Sequence, residues 1–209
     1  MAATVLLVAT LLFAATAFGC KEKENEDMNK NPVATFVIKA QSGESLTVRI
    51  ELYPDKAPIT VANFTALANS GFYDGLAFHR VVPGGCIQGG GYKITETDKG
   101  LTLGYPEGEP APIKGEFASN GWDLNDIAHE AGVISMARTS DPDSATSQFF
   151  ICVGSYPSWD GEYAAFGKAA DEESLKNIAV LGESSYVNAG SGFTTFPYPL
   201  VTIVGVRVE

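Results

Sequence analysis

Phe78-His79-Arg80-Val81-Val82-Pro83-Gly84-Gly85-Cys86-Ile87-Gln88-Gly89-Gly90 is the stretch on which the reading of this chain turns. Leu76 to Val82 is an apolar strand candidate with a guanidinium in its middle, and Cys86 to Gln88 is a second short apolar run beyond a Pro-Gly-Gly turn. A similar oddity recurs downstream, where Gln148 interrupts the run Ser147-Gln148-Phe149-Phe150-Ile151. An Arg in such a strand has two readings. It is an edge residue facing water, or it lines a cleft and finds a partner, because a charge in apolar surroundings must be compensated.

Outward from this stretch the chain is rich in short strands. Leu46, Val48, Ile50 and Leu52 alternate with Thr47, Arg49 and Glu51, a period of two that marks Ser45 to Leu52 as a strand. Val33 to Ala40 precedes it, with Gln41-Ser42-Gly43-Glu44 as the hairpin turn. Val61, Phe64, Leu67 and Ala68 recur at helical spacing, so Thr60 to Asn69 is expected to be a helix with Thr60 as N-cap and Gly71 as its stop. Further strand candidates are Gly132 to Ala137, Gln148 to Val153, Ala164 to Gly167 and the β-branched run Val201 to Val208. Asp171 to Leu181 reads as a second helix, and Tyr92 to Gly121 as a long irregular surface excursion. Many short strands with two helices point to a closed or sandwiched all-β domain.

Composition narrows the function. Of 209 residues, 14 are Lys or Arg and 25 are Asp or Glu, a net charge of −11 that argues against a nucleic-acid binder. An apolar content of 45% is enough for a real core. There is no G-x-S-x-G, no Walker loop and no H-E-x-x-H. Gly89-Gly90-Gly91 follows a strand candidate with no helix after it, so a phosphate cradle is not expected. The two histidines, His79 and His129, lie fifty residues apart with no local partners for a triad or a metal site. No metal and no cofactor are expected.

The front of the chain is a separate composition. Fifteen of the first nineteen residues are Ala, Val, Leu, Met or Phe, and none is charged. Residues 1–19 read as an export signal, and Ala17-Phe18-Gly19-Cys20 resembles the lipobox of bacterial lipoproteins, in which the Cys is lipidated. The family usually has Leu where this chain has Ala17, and Met1 to Thr4 carries no basic residue. An uncleaved membrane anchor and simple secretion are the alternatives. Residues 20–32 are expected to be a flexible tether, because Lys21 to Asn31 holds seven charges and one apolar side chain, Met28. Residues 33–209 form the folded domain. If Cys20 is acylated, Cys86 and Cys152 remain. The two could pair outside the cytoplasm, or be small buried hydrophobes; each sits inside an apolar run, which favours unpaired thiols.

At the strand motifs the resemblance becomes specific. Phe78-His79-Arg80-Val81-Val82-Pro83-Gly84, Gln88-Gly89-Gly90, Gly132-Val133-Ile134-Ser135-Met136-Ala137, Ser147-Gln148-Phe149-Phe150-Ile151 and Phe166-Gly167-Lys168 stand in the order typical of cyclophilins, the peptidyl-prolyl cis-trans isomerases. Asp143 to Phe150 and Met136 to Thr139 look like the bacterial branch. The similarity runs from about Ala34 to Val208. It implies an eight-stranded antiparallel closed β-barrel capped by two helices. It also implies Arg80, Gln88 and Phe150 as the catalytic set: Arg80 donating to the twisted amide, Gln88 orienting it, and Phe150 flooring the proline pocket. Cys86, Ala137, Arg138, Gln148, Trp159 and Tyr163 are implied as substrate-binding, Ala137 and Arg138 through their backbone. Where the family usually has Phe-Met after Pro-Gly, this chain has Gly85-Cys86, which is expected to open the pocket unless Trp159 refills it.

The expectation is therefore an isomerase of X–Pro bonds in exported or unfolded proteins, monomeric and held by a lipid at Cys20 on the outer side of the membrane. The competing expectation is a barrel that binds proline segments with little turnover because of Gly85 and Cys86.

Overall fold

The computed structural model describes residues 30–98, 100–190 and 192–209. The leader over 1–19, Cys20 and the tether as far as 29 lie outside the described residues. Asn31 and Pro32 already belong to the folded body: the Pro32 carbonyl accepts from the Leu52 amide at 2.8 Å, and Asn31 donates to Glu51 at 3.2 Å.

Strands β1 (Val33–Lys39) and β2 (Ser45–Leu52) form the expected hairpin. Helix α1 (Pro58–Asn69) follows, then β3 (Ala77–Val82), β4 (Cys86–Thr97), β5 (Gly100–Gly104), β6 (Val133–Met136), β7 (Phe149–Cys152) and β8 (Ala165–Ala169). The chain closes with α2 (Glu172–Gly182), a small ribbon of β9 (Tyr186–Val187) and β10 (Phe196–Pro197), and β11 (Val201–Val208). Among the described residues, eight strands pair antiparallel in the order β3-β11-β1-β2-β8-β6-β7-β4, and β4 returns to β3 to close the barrel. Closure leaves no open edge in the ring.

Alternation supplies the interior. Ala34, Phe36 and Ile38 of β1 and Val48, Ile50 and Leu52 of β2 are fully buried, while the residues between them face out or sit at the margin. Phe64 of α1 enters the barrel, with ring centroids 6.0 Å from Phe36, 5.9 Å from Phe149, 5.1 Å from Phe166 and 5.3 Å from Tyr73. Each such ring contributes roughly 1.5–3 kcal/mol of burial. On α2, Ile178 and Leu181 are buried as the helical period requires.

Three expectations change. First, α1 begins at Pro58, and its N-cap is Ala57, which has no side chain to cap with. The fully buried carboxylate of Glu116 does this work instead, accepting from the Ile59 amide at 2.9 Å and the Thr60 amide at 2.8 Å. A carboxylate there satisfies orphan donors and complements the positive end of the helix. The far end is as expected: Gly71, at φ +80°, lets Phe72 N–H reach the Leu67 carbonyl and its own N–H reach that of Ala68. Second, Tyr92 to Thr97 and Gly100 to Gly104 are not irregular. β4 continues to Thr97 and folds back as β5, with Lys93 opposite Gly104 and Thr97 opposite Gly100. Irregular chain begins only at Tyr105. Third, Gly89-Gly90-Gly91 lies inside β4, where the strand passes close over other side chains. A Cβ on Gly90 would stand 2.8 Å from Phe149 Cε1, and one on Gly91 would stand 2.5 Å from Gln148 Cδ. α2 starts as expected, with Asp171 Oδ1 accepting from Ser174 N–H at 2.7 Å.

Candidate active site

The site is built on the outer face of β3, β4 and β7. Arg80 pairs with Gln88 across β3–β4, and Gln88 with Phe150 across β4–β7, so the three side chains form one rung of the sheet. Their neighbours in sequence, Val81, Ile87, Phe149 and Ile151, belong to the barrel core. Period-two alternation thus settles the two readings of Arg80: it is exposed and points into a groove. Its Nη1 donates to Gln88 Oε1 at 3.4 Å, and Gln88 Nε2 donates to Gln148 Oε1 at 3.1 Å. The relay fixes which way the guanidinium leans.

A cavity of about 260 Å³ opens beside this rung, lined by Arg80, Cys86, Gln88, Ala137, Arg138, Phe150, Trp159 and Tyr163. Eight of the nine residues named from sequence therefore converge on one hollow. Gln148 does not line it. It lines an adjoining hollow of about 210 Å³ with Glu109, Thr139, Ser144 and Thr146, which shares Ala137 and Arg138 with the first. Phe150 forms the apolar floor, with Trp159 at 5.3 Å and Tyr163 at 5.5 Å, both edge-on. The Ala137 amide already donates to the Gln148 carbonyl at 2.9 Å, so that N–H is not available to an extended substrate. Arg138 acts through its side chain as well. It donates to the Glu162 carbonyl at 3.1 and 2.9 Å and lies over the Tyr163 and Phe117 rings at 4.7 and 5.1 Å. These contacts hold the Tyr163 wall in place.

The wall at Gly85 is closed. A Cβ there would stand 2.8 Å from Val82 Cγ1 and 3.2 Å from Tyr156 Oη. Tyr156 stacks on Trp159 at 4.3 Å and 17°, and its hydroxyl donates to the Gly84 carbonyl at 3.1 Å. Of the two outcomes expected at this wall, the second is closer to the structure: Trp159 lines the cavity and stacks on Tyr156, whose hydroxyl stands where a Cβ at Gly85 would point.

Sequence reasoning missed a second line of support. His129 stacks under Phe150 at 6.0 Å and 20°. Its Nε2 lies 3.1 Å from Ser135 Oγ and its Nδ1 lies 3.1 Å from Asp160 Oδ1. With Nδ1–H donating to the carboxylate, Nε2 accepts from the serine. Burial lowers the His129 pKa, while Asp160 partly offsets the effect, so the ring stays neutral at pH 7. The order Ser–His–Asp is that of a nucleophilic triad, but Ser135 is fully buried behind Phe150 and cannot meet a substrate. The chain positions the pocket floor. Asp160 lies 31 residues from His129, and Ser135 stands six residues on at no helical or strand spacing, so no motif announced it. Tyr156 had a faint signal in its spacing of three from Trp159. Among the described residues, no three of His, Cys, Asp or Glu converge in a way that would hold a metal ion.

Similarity to known proteins agrees with the geometry. A family profile described as cyclophilin type peptidyl-prolyl cis-trans isomerase/CLD matches residues 35–208. A peptidyl-prolyl cis-trans isomerase of Acinetobacter baylyi is 45% identical over 168 residues, covering 78% of this chain and 80% of that one. Peptidyl-prolyl cis-trans isomerase B of Bacillus subtilis is 43% identical over 133 residues, covering 63% and 82%. The crystal structure of a Cryptosporidium parvum cyclophilin-type isomerase, determined in the presence of the dipeptide Ala-Pro, superposes with a TM-score of 0.58 at 26% identity, covering 85% of this chain and 98% of that one.

Proposed function

The chain belongs to the cyclophilin-type peptidyl-prolyl cis-trans isomerases, and from that premise we propose that Arg80 is the group that speeds rotation, over a proline held on Phe150. The activity itself, isomerisation of X–Pro bonds, is that of the family. An X–Pro amide favours trans by only about 0.5–1 kcal/mol, yet rotation must cross roughly 18–20 kcal/mol of lost resonance. As the C–N bond twists, the prolyl nitrogen becomes pyramidal and gains a lone pair. A donor aimed at that nitrogen stabilises the twisted state and not the planar ones, which is the condition for catalysis. Arg80 remains charged throughout and presents several donors in one plane. Gln88 holds the guanidinium from one side, and Phe150, Trp159 and Tyr163 exclude water around the ring.

The single observation that carries this reading is the meeting of the Arg80 guanidinium and the Phe150 floor in one cavity. The non-enzymatic alternative is not favoured: the relatives are named isomerases, and Val82 and Tyr156 occupy the wall at Gly85. Residues 21–209 are expected to isomerise a short X–Pro peptide in a protease-free assay, and Arg80→Ala to lose most of that rate with the fold intact. An unchanged rate in Arg80→Ala refutes the assignment.

The clients we propose are proline-containing segments of exported or unfolded polypeptides, met by a monomer tethered outside the membrane through a lipid on Cys20. The support is the uncharged apolar leader, the Cys at its end and the charged stretch that follows. Mass spectrometry of the membrane fraction is expected to show an acylated N-terminal Cys20. An N-terminus elsewhere refutes the anchor.

A further inference from the structure

The rung next to Arg80–Gln88–Phe150 is Val82–Cys86–Cys152. Cys86 of β4 stands directly opposite Cys152 of β7, and Val82 of β3 opposite Cys86. Both sulfur-bearing side chains lie on the groove side, packed with Phe150 and apart from the barrel core. The flanking Val153 N–H donates to the Gly85 carbonyl at 2.8 Å. That bond identifies Cys86 and Cys152 as a non-hydrogen-bonded pair, the closer of the two antiparallel spacings, with Cα atoms about 4.5 Å apart. Disulfides span Cα separations of roughly 4.4–6.8 Å, so the backbone need not open for a bond to form. In this structure both are free thiols.

We propose that Cys86 and Cys152 are a redox modification site, closing reversibly into a cross-strand disulfide in the wall of the prolyl pocket. The oxidant is a disulfide, either of a small thiol or of a dithiol protein. Both thiols are buried, Cys86 at 2% exposure and Cys152 at 0%, but Cys86 lines the cavity and Cys152 does not, so Cys86 reacts first. The Cys86 thiol gives its proton to solvent and the thiolate attacks the incoming disulfide. A mixed disulfide forms, and the first leaving thiolate takes up a proton. Cys152 then loses its proton and attacks Cys86 Sγ, expelling the second leaving group. Two protein thiols are oxidised by two electrons, and one external disulfide is reduced to two thiols.

Burial pushes the Cys86 thiol up to about 11 and Cys152 up to about 12. Thiolate is therefore scarce near neutrality. The exchange is slow there and quickens about tenfold for each unit of pH as the thiolate fraction rises. Closure draws Cys86 Sγ from the pocket wall toward Cys152. On the isomerase reading, which this consequence rests on, the pocket then holds its proline less well. We expect KM to rise about threefold, the value of less than one methylene of contact, with kcat kept because Arg80 and Gln88 are untouched.

The test uses the full chain carrying Cys20→Ser, so that the pair supplies the remaining cysteines. It is equilibrated at pH 8.5 in graded mixtures of reduced and oxidised glutathione, then alkylated and mapped by mass spectrometry. Expected is one peptide pair joined through Cys86 and Cys152, formed in a single transition, reversed by reductant and absent from Cys152→Ala. Two thiols that stay open to alkylation after denaturation, or glutathione on Cys86 with Cys152 free, would overturn the bond. The mass readout is independent of turnover, so the bond stands or falls even if the isomerase reading fails. Cys152→Ala is expected to keep the reduced protein's KM and to lose its response to oxidant. A joined pair with unchanged KM would overturn the coupling to the pocket.

Discussion

Phe149 and Phe150 are neighbours on β7 and point to opposite faces of the sheet. Phe149 is fully buried inside the barrel, with ring contacts to Phe36, Phe64, Tyr73 and Phe78. Phe150 faces the groove, against Trp159, Tyr163 and His129. The same residue type thus serves cohesion on one side and reception on the other, and a period of two assigns the roles. The faces share a backbone and few side-chain contacts. Stability and turnover are therefore expected to respond to different substitutions.

The largest effect that would sharpen this contrast is Phe149→Ala. It removes a ring from the centre of the core and is expected to cost about 3–5 kcal/mol in urea unfolding. The protein that remains folded should isomerise at a rate within a few-fold of normal; a proportionate loss of turnover would break the contrast. Next comes Arg80→Ala, expected to lower kcat/KM about 100-fold, as removal of one transition-state donor does elsewhere. Arg80 is exposed, so its unfolding midpoint should stay put.

Third is a pH effect at His79, which is buried beside Tyr92 and Phe193 and belongs to neither the barrel core nor the groove. Burial, with the charge of Arg80, lowers His79 from 6.5 to about 4 in the folded chain. Below 6.5 the unfolded chain binds a proton that the folded chain refuses, so stability present above 6.5 drains away as pH falls toward 4. Between pH 7.5 and 5 the loss is about 2 kcal/mol. His79 meets Tyr92 edge-on at 4.7 Å and Phe193 at 6.0 Å, surroundings that suit a Phe. His79→Phe is expected to flatten the profile of unfolding free energy between pH 5 and 7.5. An unchanged slope would show the proton is taken up elsewhere.

The smallest effect tests the support of the floor. Ser135→Ala cuts the bond to His129 Nε2 without opening space in the core. We expect kcat/KM to fall about threefold to tenfold, within the 0.5–1.5 kcal/mol of one hydrogen bond, through KM more than kcat. A fall of Arg80→Ala size would mean that this chain does chemistry after all.

Legibility in the sequence followed the range of the contacts involved. Ser45–Leu52 has the bounds its alternation announced and Val201–Val208 those of its β-branched run, and α2 lies within one residue of the helix expected over Asp171 to Leu181. The groove residues were legible because ordered motifs resemble a known family. Composition hid the long β4–β5 hairpin: Gly, Pro and acidic residues suggested a loop, while the cross-strand pairing that makes it a ribbon does not show in composition. The Glu116 cap reaches α1 from more than fifty residues away. The Ser135–His129–Asp160 chain depends on Asp160, 31 residues from His129, which only the tertiary fold brings back. No period or spacing encodes such meetings.

The filled wall at Gly85 bears on descent and on ligand design. A Phe introduced at position 85 would drive its Cβ into Val82 and meet the Tyr156 hydroxyl before reaching the pocket. Removing Tyr156 alone would leave Trp159 without its stacking partner. Each exchange made singly disturbs the other side of the wall, so the two solutions are expected to interchange most easily through paired substitutions. A ligand shaped to lie against a phenylalanine in this position would meet an indole coming from the other bank. Compounds that exploit Trp159 therefore have a route to distinguishing this isomerase from any cyclophilin that carries a Phe at this position.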